Sequence, residues 1–298
     1  MTFHQPTLSR RPSASCRHRH NDRDLVAFVG RHGAVSIEQV MSASGIGQTA
    51  AYRRVAGLVA AGLLERLQLL RGEPTLLKAT RQGLRYAGLG MAPAVISPGS
   101  IAHWLRCTSA AIDLEAASGP HRVITVRELI AAERHEERPI ASAVIGRLPD
   151  GRPRLHRPDL VVLPEGHPLV KDEVPLAYED PADHGAYGRG PTAHARTPNR
   201  GREITGDVQR APGGAEDVRL YTERASAGTE DMGVCAYEVE LTPKSPKRLR
   251  EIIRGWRRAD CVDRVHYLCE PGPTRRAVER AVARLGASDR VAISEVAA

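Results

Sequence analysis

The sequence predicts an α+β protein in two unlike parts. Three observations support this. Residues 22–90 read as three short helices followed by a hairpin and a last short helix. From about residue 97 the order is helix, three strands, helix, strand, with one more helix and strand at the end. Charge divides the same way: the formal net charge is +8, all of it carried by residues 1–95, while residues 96–298 are neutral.

The opening 21 residues, "MTFHQPTLSRRPSASCRHRH" and Asn21, carry no acid and no amphipathic stripe, so they read as a disordered basic arm. The Arg-His repeat from Arg17 to His20 could bind metal, but short His tracts of this kind are usually solvent-exposed.

Each element of residues 22–90 has a local reason. Asp22 is the expected cap of a helix with Leu25, Phe28 and Val29 on one face. Ser36 and Gln39 form a capping box, and "SGIGQ" turns the chain. A third helix runs from Gln48 to about Ala61, with Val55, Leu58 and Val59 inward and Gly62 as its stop. "LLERLQLL", "RGEP" and "TLLKA" make a hairpin, and Thr80 caps the closing helix. This layout resembles the winged helix-turn-helix family. In that arrangement the first turns of one helix face the major groove. The resemblance puts Gln48, Thr49, Tyr52, Arg53 and Arg54 at the DNA, with Arg71 and Lys78 near the wing and its phosphates. The local excess of positive charge points to the same polyanion.

After the linker "MAPAVISP", Ser100 is expected to cap a helix to about Ala117. "HRVITVRELI", "HRPDLVVLP" and "GVCAYEVEL" read as strands. Ser245 and Pro246 begin a helix with Leu249, Ile252, Ile253 and Trp256 on one face. "DRVHYLC", "TRRAVERAVARLG" and "RVAISEV" complete the chain. Residues 165–232, rich in Pro, Gly, Asp, Arg and His without a sustained period, read as a low-complexity insertion.

Pro158-Asp159 opens one strand, and Glu238-Val239-Glu240 lies in another. Residues two apart on a strand share a face, so Glu238 and Glu240 project together while Tyr237, Val239 and Leu241 pack behind them. The αβββαβ order with these acids resembles the restriction-endonuclease-like domains, which carry an Asp at the second strand and Glu-x-Lys on the third. The resemblance makes Asp159, Glu238, Glu240 and Lys244 the catalytic candidates, and Asp159 with Glu238 the candidate ligands of a Mg²⁺ ion that would activate water. The chain departs from the pattern at Glu240, which stands where the family has lysine; Lys244 is the substitute within reach. Glu115 is a loose match to a helix acid of these domains, and His156 stands three residues before Asp159.

With its winged-helix start, "RPDLVVL" and above all "EVELTPKSPKRL", the chain resembles the replication-relaxation family of actinobacterial and firmicute mobile elements. That family is linked by name with plasmid replication or DNA relaxation. The resemblance implies a DNA transaction on a plasmid or integrated element and no settled reaction; with Glu240 in the lysine position, the leading reading is a DNA-binding protein whose nuclease-like domain lacks robust catalysis. The rival is a Mg²⁺- or Mn²⁺-dependent nickase or endonuclease. A third reading is a transcriptional regulator with a C-terminal sensor or dimerisation domain. Expected partners are double-stranded DNA, replication or conjugation proteins, and a second copy of the chain in a homodimer. No membrane is expected, because no apolar run approaches the roughly 20 residues of a spanning helix. Five scattered cysteines without a Cys-x-x-Cys pair point to a reducing cytoplasm. No phosphate-cradling Gly loop, His-Glu-x-x-His or Gly-x-Ser-x-Gly is present, so ATPase, zinc-protease and serine-hydrolase chemistry have no motif to rest on.

Overall fold

The computed structural model describes residues 21–68, 75–117, 121–171 and 233–296. The basic arm, Arg71 and most of the expected insertion lie outside the described residues.

The N-terminal part packs α1 (Asp22–His32), α2 (Ile37–Ser44), α3 (Gln48–Ala60) and α4 (Arg81–Ala87) with β1 (Val35–Ser36), β2 (Leu64–Leu67) and β3 (Leu76–Ala79). The strands form one antiparallel sheet in the order β1-β3-β2. Leu25, Val26, Val29, Val40, Val55, Leu58, Leu64, Leu77 and Leu84 form its core. Asn21 caps α1, not Asp22: its side chain accepts from the Asp24 amide at 2.9 Å while the Asp24 carboxylate takes the Asn21 amide. A residue that supplies a cap stays outside the helix, and the reciprocal pair favours the position one step earlier. The Ser36–Gln39 box and the Thr80 cap form as expected. Gly83 in α4 lies so close to the residue that leads into β2 that an added Cβ would stand 2.0 Å from the Leu63 carbonyl oxygen.

The C-terminal part is built on a five-stranded mixed sheet. Its strands are β4 (His121–Thr125), β7 (Leu160–Pro164), β8 (Cys235–Glu240), β9 (Arg264–Cys269) and β10 (Val291–Glu295), in the order β10-β9-β8-β7-β4. β7 runs antiparallel to both β4 and β8, whereas β8, β9 and β10 are parallel. α5 (Ile101–Ala116) covers one face, burying Cys107, Ala110, Ala111 and Leu114 against Val123, Leu160, Val162, Tyr237 and Val239. The other face is covered by α6 (Val126–Glu136), α8 (Pro246–Arg257) and α9 (Pro273–Leu285). The short α7 (Pro168–Lys171) follows β7. Ser245 and Pro246 start α8 as their types dictate, and Trp256 is wholly buried beneath it.

The stretch read as one strand from His121 to Ile130 divides in two. Its strand stops at Thr125, and α6 begins at Val126. The Thr125 hydroxyl and Glu128 make a reciprocal capping box that outweighs the β-branched run Val123-Ile124-Thr125-Val126. A hairpin of β5 (Ala143–Arg147) and β6 (Pro153–His156), absent from the sequence reading, follows. Ser100 does not cap α5 with its side chain; its hydroxyl turns back to the Ser97 carbonyl.

Two arginines join the two parts, Arg31 foremost. Arg31, in the last turn of α1, donates from Nε to Glu128 Oε1 at 2.9 Å and from Nη2 to the Val123 carbonyl at 2.7 Å. Nη2 also meets Glu115 at 3.2 Å. The Thr125 hydroxyl donates to the Arg31 carbonyl, and Arg127 donates to the carbonyls of Gly30 and Ala92. Gln39 reaches α5 through the Leu105 carbonyl and Ser109 hydroxyl. Beside these bonds, Ala34 and Leu76 share an apolar cluster with Ile101, Trp104 and Leu105. Gly33 has φ +82° and lies under Trp104, with 2.9 Å from an added Cβ to the ring, so only glycine closes this corner without strain.

Glu128→Ala is expected to destabilise the folded chain by about 3 kcal/mol, because it takes the more buried of the two carboxylate partners from Arg31 and removes the acceptor of the Thr125 amide together; urea unfolding measures it. A second expectation concerns pH. Burial lowers the His32 pKa to about 3, with Arg31 adding to the effect. The unfolded chain binds this proton near the usual imidazole value, about 6.5. Stability from His32 is therefore complete above that value and falls as pH drops toward 3. His32→Phe should flatten the slope of unfolding free energy between about pH 6 and 4, the window that lies between the unfolded and folded pKa of this imidazole.

Candidate functional site

The site forms where β7 begins and β8 ends. Leu160 pairs with Tyr237 and Val161 with Ala236, so the same register sets Asp159 beside Glu238. The Asp159 amide donates to the Tyr237 carbonyl at 3.0 Å, and the Asp159 carbonyl accepts from Val126 at 2.9 Å. The Asp159 main chain is thus held from both sides. Its carboxylate is held as well: Oδ2 accepts the Val239 amide at 2.8 Å, and Oδ1 meets His103 Nε2 at 3.0 Å.

Glu238 and Glu240 do share one face of β8, with Tyr237 and Val239 on the other, as alternation requires. Both glutamates are buried, at 3% and 4% exposure, so neither is a solvated edge charge. Each has a partner. Glu238 Oε1 accepts from His156 Nε2 at 2.6 Å and from the Trp256 indole at 3.1 Å. Glu240 is bonded by Lys244, four residues on. Buried carboxylates persist only when paired in this way.

The protein brings Asp159, Glu238 and Lys244 into one electrostatic neighbourhood. The hydrogen bond to Asp159 raises the His103 imidazole above its usual range; burial and Lys244 oppose this, and Glu238 reinforces it. On β9, Tyr267 pairs with Glu238 and is fully buried. Burial, then the Glu238 charge, pushes its phenol well above its ordinary value. His266 stacks on Tyr237 at 4.8 Å, and burial lowers it to about 4. Glu115 faces Arg31, roughly 18 Å along α5 from His103 by helical rise, so it serves the junction between the parts and not this cluster.

His103 and Cys107 are the members that sequence reasoning missed. Cys107 Sγ lies 3.5 Å from His103 Nε2, and a ligand atom from each of His103, Cys107 and Asp159 lies within 4.8 Å of the others. The signal was present as an i, i+4 pair on a helix expected from the sequence, which places both side chains on one stripe. His156 stood out through its closeness in sequence to Asp159, although its partner is Glu238.

The residues expected at DNA divide into two groups. Gln48, Thr49, Tyr52 and Arg53 are exposed along one side of α3, while Ala51, Val55 and Leu58 are buried. Arg54 instead bonds Asp22 of α1 at 2.9 Å, and Lys78 pairs with Glu65 across the β2–β3 hairpin. Among the described residues, no helix is long and apolar enough to cross a membrane. No family model matches the chain, and no curated protein or solved structure matches it either.

Glu238→Ala is expected to leave the Trp256 indole and His156 without their shared acceptor. The expected cost is about 2 kcal/mol of stability, with a shift of Trp256 fluorescence. A melting curve and emission spectrum unchanged from the parent would show that this bond does not hold the core.

Proposed function

We propose that this chain is a DNA-binding protein of a plasmid or integrated mobile element, acting in replication, relaxation or their regulation. The observation that carries this reading is the exposed row Gln48, Thr49, Tyr52 and Arg53 on the first turns of α3. That helix has no acid in its first turn, and an antiparallel hairpin follows it. Three helices and a three-stranded sheet in this order support a winged helix-turn-helix, in which such a row enters the major groove. Gln48 and Arg53 then read base edges, and Tyr52 and Thr49 contact the backbone. The pair Arg54–Asp22 orients α1 against α3; an exposed pair of this kind is worth about 1 kcal/mol or less, so Arg54 remains recruitable to phosphate. The assignment to a mobile element rests on "EVELTPKSPKRL" and its neighbours.

The mixed sheet with Asp159 at one strand's start and Glu238 on the next supports a restriction-endonuclease-like module. In this reading the module contributes DNA or partner binding without robust catalysis. Glu240 fills the lysine position and bonds Lys244, and Glu238 is committed to His156 and Trp256. A Mg²⁺ ion asks for free carboxylate oxygens and water in an octahedron. The accepting oxygens of Asp159 and Glu238 are turned to different partners, so no step is assigned to that metal.

Arg53→Ala is expected to weaken duplex binding by roughly tenfold, consistent with loss of one base or phosphate contact, and to make the salt dependence shallower if the contact is to phosphate. Fluorescence anisotropy at several salt concentrations measures both. Unchanged affinity would remove α3 as the reading helix. Incubation of supercoiled plasmid with Mg²⁺ or Mn²⁺ tests the enzymatic rival: nicking abolished by Asp159→Ala would replace the non-catalytic reading.

A further inference from the structure

We infer that His103, Cys107 and Asp159 form a binding site for a single borderline transition dication of the zinc class. The inference stands apart from the DNA-binding reading and does not need it. His103 and Cys107 project from consecutive turns of α5, and Asp159 meets them from the start of β7. In a tetrahedral zinc site, bond lengths of about 2.0 Å to nitrogen or oxygen and 2.3 Å to sulfur set ligand separations near 3.3 Å for N···O and 3.6 Å for N···S. Here Nε2 of His103 lies 3.0 Å from Oδ1 of Asp159 and 3.5 Å from Sγ of Cys107. These are two edges of such a tetrahedron, and the third, from Sγ of Cys107 to the Asp159 carboxylate, is within 4.8 Å.

The surroundings suit the role. Asp159 uses Oδ2 to accept the Val239 amide, which orients the carboxylate and directs Oδ1 to His103. Fixing a ligand through its second atom is how metal sites hold their geometry. Cys107 is buried and Asp159 mostly so, while the His103 side chain is 43% exposed, leaving a fourth position open to water. One nitrogen, one sulfur and one oxygen favour a zinc-class ion over Mg²⁺ or Ca²⁺, which take oxygen sets. On loading, Cys107 releases its thiol proton to solvent. His103 gives up the Nε2 proton it shares with Asp159, also to solvent, and binds through Nε2 while keeping its proton on Nδ1.

The test uses the full chain, stripped with chelator and titrated with Co²⁺, then with competing Zn²⁺. The expected result is one equivalent bound, with tetrahedral visible bands and a thiolate-to-cobalt charge-transfer band. Cys107→Ser should abolish the charge-transfer band, and both Cys107→Ser and His103→Ala should weaken Zn²⁺ binding by at least about tenfold. The basic arm offers Cys16, His18 and His20 as competing donors. Replacing these with Ser, Ala and Ala should leave the band and the affinity unchanged. The inference is overturned if the parent shows no charge-transfer band, if the band survives in Cys107→Ser, or if only the arm variant loses binding. Should Cys107→Ser fail to fold, the exposed His103→Ala decides alone: unchanged zinc affinity overturns the site, and its loss supports it.

Discussion

The Arg31 guanidinium is the contact on which the arrangement of the two parts depends. It occupies Glu128, Glu115 and the Val123 carbonyl at once, and so reads the ends of α5, β4 and α6 together. Burial alone disfavours both charged partners. The Glu128 carboxylate nonetheless sits below its usual range, because Arg31, the Thr125 amide and Arg122 together outweigh the burial penalty. A buried charge pair of this kind tolerates little displacement, since losing one partner leaves the other desolvated and unmatched. The apolar corner of Ala34, Leu76, Ile101 and Trp104 excludes water beside it. Non-directional packing sets the closeness of the two parts, and directional bonds set their orientation.

The acidic strand follows a similar logic. β8 is paired along both edges by β7 and β9 and covered by α5 on one face and α8 on the other, so all six of its residues are buried. Two glutamates in such a strand need compensating groups, and these come from three different places in the chain. β6 supplies His156, α8 supplies Trp256, and the turn before α8 supplies Lys244. Hairpin, strand and helix are thereby fastened through carboxylates as well as through the apolar core.

Much of this was legible where local chemistry and periodicity agreed. Ser36 with Gln39, Thr80, and Ser245 with Pro246 announce their helices by type and spacing, and they form as expected. The alternation in β8 separated Glu238 and Glu240 from Tyr237 and Val239 correctly. What stayed hidden depended on distant partners. Val123 to Val126 carries strand-forming side chains, and only the capping box to Glu128 ends the strand there. Likewise, nothing local in "HRPD" says that His156 turns to Glu238 while Asp159 turns to His103, 56 residues earlier. Those pairings are set by the hydrogen-bond register between β7 and β8 and by how α5 crosses the sheet.

The same register has a consequence for how this chain can change in length. β7 and β8 are neighbours, so the long segment between them leaves and re-enters the sheet at adjacent positions. Closing a chain between fixed ends costs free energy only as the logarithm of its length, about 0.6 kcal/mol for each doubling. The anchors that matter lie on the near side of both openings: Leu169 accepts from Arg122 of β4, and Asp263 accepts the Val234 amide. Length can therefore drift at this one junction by tens of residues, or a foreign module be spliced into it, while the strand pairing beneath stays in register.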